Sequence, residues 1–146
     1  MIQDINNIKV AVICKNEQIS EILEANFVGS FDLIEKIRNG WLDFDILMIT
    51  PEMMSKVGPL AKVLGPAGKM PNIQNETIVS TSEINYMINY VRMFENNLIG
   101  REPDHLRNLA WYFWINRKDL HCGAFKSWFL YETAKQLDTN EEYTFN

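Results

Sequence analysis

Two continuous apolar runs, IKVAVIC at residues 8–14 and DILMIT at residues 45–50, constrain this chain more than any other feature. Each is too short for a helix and lacks the alternation of a half-exposed strand, so each suits a strand buried on both faces. Such a strand needs a layer of helices above and below it. The intervening segments supply the helical periodicity. Ile19, Ile22 and Leu23 predict a helix over 17–25 capped by Asn16, and Phe27-Val28 reads as a short second strand. Leu33, Ile34 and Ile37 form another stripe, capped by Ser30 and ended by Gly40.

After the second run, Thr50-Pro51-Glu52 places a capping hydroxyl, a proline and an acid where a helix start favours them. Gly58-Pro59 divides that helix in two. Residues 76–79 read as a fourth strand, and Thr81 or Ser82 caps a long amphipathic helix carrying Ile84, Met87, Ile88, Val91, Phe94 and Leu98. This alternation predicts an α/β fold over residues 1–99, a Rossmann-like open parallel four-stranded sheet with flanking helices. Past Gly100-Arg101-Glu102-Pro103 the chain becomes aromatic-rich. There a β-hairpin over 110–125 around the turn NRKD, then a helix from near Trp128, form an annex over 100–146, whose last residues have no strong pattern.

At 146 residues, 47% hydrophobic and 23% charged, the chain fits one ordinary core. A net charge of −5 argues against a surface that grips nucleic acid all over. The charge is uneven, however: residues 51–75 carry +2, residues 105–127 carry +3, and the rest carry −10. Either two basic patches hold a polyanion or these are scattered solvated charges. Cys14 and Cys122, without CxxC spacing, read as reduced thiols of an intracellular compartment. The start MIQDINNIKV has the pattern of neither a secretory signal nor an arginine-rich transit peptide, and LAWYFWI is too short for a span, so a soluble protein without membrane contact is expected.

The residues argue against an enzyme and against a cofactor. A dinucleotide fingerprint would put glycines directly after the first strand, where CKNEQI stands. A phosphate-binding loop around Gly68-Lys69 would need glycine at Val63 and a hydroxyl at Met70. His105 and His121 lack partners at ligand or triad spacing. Asp43 and Asp45 read as a solvated turn before a strand, and Met48, Met53, Met54 and Met70 as core filler rather than a soft-metal site. There remains the corner GPAGKMPN at 65–72, whose glycines and prolines fix the backbone and carry Lys62, Lys69 and Asn72 outward. It is a plain turn or a contact surface for phosphates and sugar edges.

The string GWLDFDILMITPEMMSKVGPLAKVLGPAGKMPN resembles the middle domain of the large-subunit ribosomal protein one family. That family shows a GWxDFD turn, a strand, a TPxMM helix start and VGxLxxxLGPxGxMPNP. The likeness extends back through FDLIEKIRNG and IKVAVIC and forward through ETIVSTSEINYMINYV. More loosely, YFWINRKDLHCGAFKSWF is similar to the family's hairpin FRxDKxGIIHxPIGKxSF, with His121 and Lys126 on its His and Lys. The resemblance implies a structural protein of the stalk beside the tRNA exit site, binding large-subunit rRNA and helping exit-site tRNA leave. RNA contact is expected of the corner through Lys62, Lys69, Met70 and Asn72 and of the hairpin through Arg117, Lys118, His121 and Lys126, of which His121 and Lys126 stand on the family's matching His and Lys.

The corner departs from the family pattern: Ala67 stands for the usual Arg, Lys69 for Leu, and Ile73 for the last Pro. The likeness begins at the first strand of the inserted domain, and the family's late threonine-methionine-glycine segment has no counterpart. A reduced or split form is therefore expected, with another polypeptide supplying the other half of the outer RNA-binding domain. The 15 asparagines and 16 isoleucines fit an organelle-encoded mitochondrial ribosomal protein, with the cytoplasm as alternative. The competing functions are an extraribosomal RNA-binding translational regulator and a small-ligand-binding α/β module.

Overall fold

The computed structural model describes residues 7–98 together with Phe125, Trp128 and Phe129. Strand β1 (Val10–Ile13) lies at the centre of a parallel sheet, between β2 (Phe27–Gly29) and β3 (Ile46–Ile49). Ala11 pairs with Phe27 and Leu47, and Ile13 with Gly29 and Ile49. Every residue of β1 and β3 is buried, as the two apolar runs require. Because side chains alternate across the pleat, the runs split into two cores. Val10, Val12, Ile46 and Met48 pack on one face with Ile84, Met87, Ile88, Val91 and Phe94. Ala11, Ile13, Leu47 and Ile49 pack on the other with Leu33, Ile34, Ile37, Met53, Val57, Leu60 and Leu64.

The second face is covered by α1 (Phe31–Arg38), α2 (Met54–Val57) and α3 (Ala61–Leu64). Gly58–Leu60 joins α2 to α3 as a 3₁₀ turn, so the Gly-Pro pair tightens the helix at the expected place while its dihedrals stay helical. The first face is covered by α4 (Thr81–Leu98). Gly40, at φ +101°, ends α1: Trp41 N–H donates to Lys36 O at 2.9 Å and Gly40 N–H to Ile37 O at 2.9 Å, the paired closure of a left-handed helix cap.

Several expectations are corrected. The fourth strand is reduced to one parallel bridge, Ile49 to Ile78, in which Ile49 N–H donates to Thr77 O and Val79 N–H to Ile49 O. The helix expected over 17–25 is a 3₁₀ helix at Asn16–Glu21, followed by extended Ile22, 63%-exposed Leu23 and Glu24 at φ +60°. The connection between β1 and β2 is short for a full helical crossover, and Asn26 must reach the strand edge. There Asn26 N–H donates to Val10 O and Val10 N–H to Asn26 Oδ1.

The caps also differ. Lys15 rather than Asn16 precedes the 3₁₀ helix, its amide donating to Gln18 Oε1 at 3.1 Å. Ser30 and Thr50 stand at the expected cap positions, but Asp32 Oδ1 accepts the Ser30 amide, and neither hydroxyl has a hydrogen bond among the described residues. Helix α4 begins at Thr81, one residue after Ser80, whose carbonyl accepts the Ile84 amide. The hairpin expected over 110–125 lies outside the described residues except Phe125, which is helical, as are Trp128 and Phe129.

Arg92 of α4 joins the layers. Its Nη1 donates to Ile8 O at 2.7 Å, and Nε and Nη2 donate to Glu24 O at 3.3 and 3.1 Å. Nη2 also reaches Asn26 Oδ1 at 2.5 Å, and Glu95, paired with Arg92 at 3.4 Å, accepts the Ile8 amide. One guanidinium thus fixes the approach to β1, the positive-φ residue before β2 and the partner acid.

Arg92→Met, which keeps the stem but strands Glu95 and three acceptors, is expected to cost about 2–4 kcal/mol of unfolding free energy in urea titrations. Gly40→Ala meets no atom within 4 Å, so its cost is conformational alone, about 1 kcal/mol in the same measurement. Burial, with Glu21 and Glu17 adding to it, pushes the Cys14 thiol up from 9.0 to about 11. The fold holds its proton over that range while the unfolded chain loses it, so stability drains away as pH rises from 9 through 11. In a Cys122→Ser background, alkylation of Cys14 at pH 8 should run about a hundredfold slower than in the urea-unfolded chain, from the thiolate fraction alone.

Candidate nucleic-acid interface

The corner GPAGKMPN is a helix ending followed by a second closed turn. Gly65 N–H donates to Ala61 O at 2.8 Å, Gly68 N–H to Gly65 O at 2.9 Å and Lys69 N–H to Leu64 O at 2.9 Å. Gly68 has φ +71°, so the pattern that ends α1 is repeated at the end of α3. The invariant requirement at Gly68 is conformational: an L side chain there would be strained although nothing lies within 4 Å.

The chain then turns again between Asn72 and Thr77. Asn72 N–H donates to Thr77 Oγ1 at 2.9 Å, while Thr77 Oγ1 and Thr77 N–H both donate to Asn72 O, at 3.1 and 3.2 Å. Asn75 N–H donates to Asn72 Oδ1 at 2.6 Å. The Asn72 side-chain carbonyl therefore closes its own turn. Its amide nitrogen makes no hydrogen bond to a described residue. Glu76, at φ +57°, completes the turn through Ile73 O.

The structure separates the two lysines that the sequence groups. Lys62 is exposed on α3, and no partner is recorded for it among the described residues. Lys69 is half-buried: Nζ donates to Leu42 O at 2.8 Å and lies 5.3 Å from the centroid of the Phe44 ring. It reaches the start of the sheet, beside a cavity of about 180 Å³ lined also by Lys9, Asp43 and Asp45. Lys69 thus acts as a strut from the corner to the turn before β3. Met70 is half-buried against the second core and braces the corner from below.

Asp45 does not belong to a free carboxylate pair, since Oδ2 accepts the Lys9 amide at 2.9 Å. Lys56, on α2, is exposed like Lys62 and was not singled out by the motif. Leu42 and Phe44, which hold Lys69, were also missed as site residues. The available signal was the fixed order of GWLDFD and GPAGKMPN in one string, which pairs the turn with the corner. Arg117, Lys118, His121 and Lys126 lie outside the described residues. Among the described residues no cluster of three or more His, Cys, Asp or Glu is arranged to hold a metal ion. No helix among them is long and apolar enough to cross a membrane.

Residues 3–98 match the ribosomal protein L1p/L10e family. The chain is 51% identical over 73 residues to the large ribosomal subunit protein uL1 of Solidesulfovibrio magneticus, covering 49% of this chain and 31% of that protein. To the protein of that name from Lactobacillus acidophilus it is 58% identical over 59 residues, 40% of this chain and 26% of the relative. To that of Aster yellows witches'-broom phytoplasma it is 39% identical over 104 residues, 70% of this chain and 43% of the relative. The chain spans less than half the length of each of these curated relatives. With that match covering residues 3–98 of 146, the sheet, the two glycine caps and the corner included, the chain belongs to the ribosomal protein L1p/L10e family.

Proposed function

We propose that this protein is a structural, non-enzymatic constituent of the large ribosomal subunit that binds large-subunit rRNA in the stalk beside the tRNA exit site and assists the release of exit-site tRNA. The observation that carries this reading is the family match over residues 3–98, which includes the whole corner and the turn that braces it. The exposed ammonium groups of Lys56 and Lys62 suit phosphate contact, and the amide of Asn72 suits a sugar or base edge. A second polypeptide is proposed to complete the outer RNA-binding domain. The composition supports a mitochondrial ribosome; the bacterial relatives support the cytoplasmic alternative.

An epitope-tagged chain is expected to sediment with large subunits in sucrose gradients and to leave them as salt rises. Recovery only in ribosome-free fractions at low salt would overturn the reading, and RNA crosslinked there would favour the extraribosomal regulator. Mass spectrometry of the purified subunits tests for the second polypeptide.

The two lysines should give different signatures in RNA titrations. Lys62→Ala should weaken association by about 1 kcal/mol and lower the salt slope by roughly 0.7–0.9, leaving stability unchanged. Lys69→Met should lower stability by about 1 kcal/mol, since it removes the strut to Leu42 O. A salt slope that ignores Lys62 assigns α3 a structural role only.

A further inference from the structure

Three aromatics from the segment that the family resemblance assigns to an outer domain, Phe125, Trp128 and Phe129, pack here on the sheet domain. Phe125 and Phe129, four residues apart on a helix, are both 0% exposed within the core formed by Val10, Val12, Met48 and α4. The Phe129 ring lies 5.1 Å from that of Phe94 and 5.9 Å from that of Tyr90, both edge-on. Phe125 meets Phe129 at 6.0 Å and Trp128 at 5.8 Å. Two of the three aromatics are therefore anchors.

Trp128 packs against the margin of the same core and reaches beyond it. It is only partly buried, and it lines a cavity of about 60 Å³ together with Leu47, Gly68, Met70, Asn72, Asn75 and Thr77. That cavity lies along the outer edge of β3, where the fourth strand is reduced to the Ile49–Ile78 bridge. The corner and its second turn meet the sheet through the Lys69 strut, the backbone bonds around Ile49, Met70 and Ile78 against the second core, and the walls of this cavity.

We infer that Trp128 is a positioning residue for the corner: Phe125 and Phe129 fasten its helix in the core, and its indole walls the turn Asn72–Thr77 against the open edge of β3. The mechanism is steric. A flat ring on one side of the cavity limits the excursions of the turn toward that side, where the cavity leaves it room to move. Trp128 thereby sets the geometry of Asn72. The consequence for RNA rests on the function proposed above; the consequence for loop dynamics does not.

Amide hydrogen exchange on the full chain tests this with Trp128→Ala and Trp128→Phe. The alanine variant is expected to speed exchange at Asn72, Asn75 and Thr77 by about tenfold, with β1 amides unchanged, and the phenylalanine variant to restore the native rates. Trp128→Leu, which keeps apolar volume without the flat ring, carries the test should the alanine variant unfold. Native rates at the turn, or an equal rise at every amide, would overturn the proposal. If the turn loosens while RNA affinity stays the same, the positioning role stands and RNA contact at this corner fails.

Discussion

Burying β1 on both faces is the constraint from which the rest of this structure follows. A central parallel strand with Val10 and Val12 on one side and Ala11 and Ile13 on the other exposes apolar surface in two directions at once. One helical layer cannot cover both. The chain supplies three short helices on one side and, on the other, one long helix joined by Phe125 and Phe129 from beyond its end. Arg92 then ties the long helix to the open ends of β1 and β2, where backbone groups would otherwise be stranded.

The parts of this fold that local pattern dictates were legible in the sequence. Unbroken apolar runs announced β1 and β3, and Gly40 marked its helix end because only a left-handed closure follows α1 there. The parts set by distant partners were not. The helix after β1 gives way because Asn26 is held by the Val10 amide and by Arg92, and nothing in EQISEILEANF reports those two partners. The fourth strand shrinks to a bridge because the edge of β3 is shared with a turn and an indole.

The candidate interface divides in the same way. A motif gave the corner and its exposed Lys62, since both are written in one contiguous string. The role of Lys69 required knowing that the turn before β3 lies under it, with a carbonyl and a ring ready to receive an ammonium. A charge in a loop reads as a contact residue until its neighbour in space is known. Here the neighbour turns it inward.

The two buried hydroxyls of Ser30 and Thr50 bear on where such a domain keeps its working surface. Both follow strands at the carboxyl end of the sheet, flanking Cys14 at the end of β1, and they are 2% and 1% exposed. Open parallel sheets usually hold small ligands in the crevice at that end. In this chain those three positions are packed under the helices, and the lysine-bearing corner sits at the opposite pole, beside the amino ends of β1 and β3. The end that such sheets usually leave open is here a closed floor, and the corner lies at the other end, over the start of the strands.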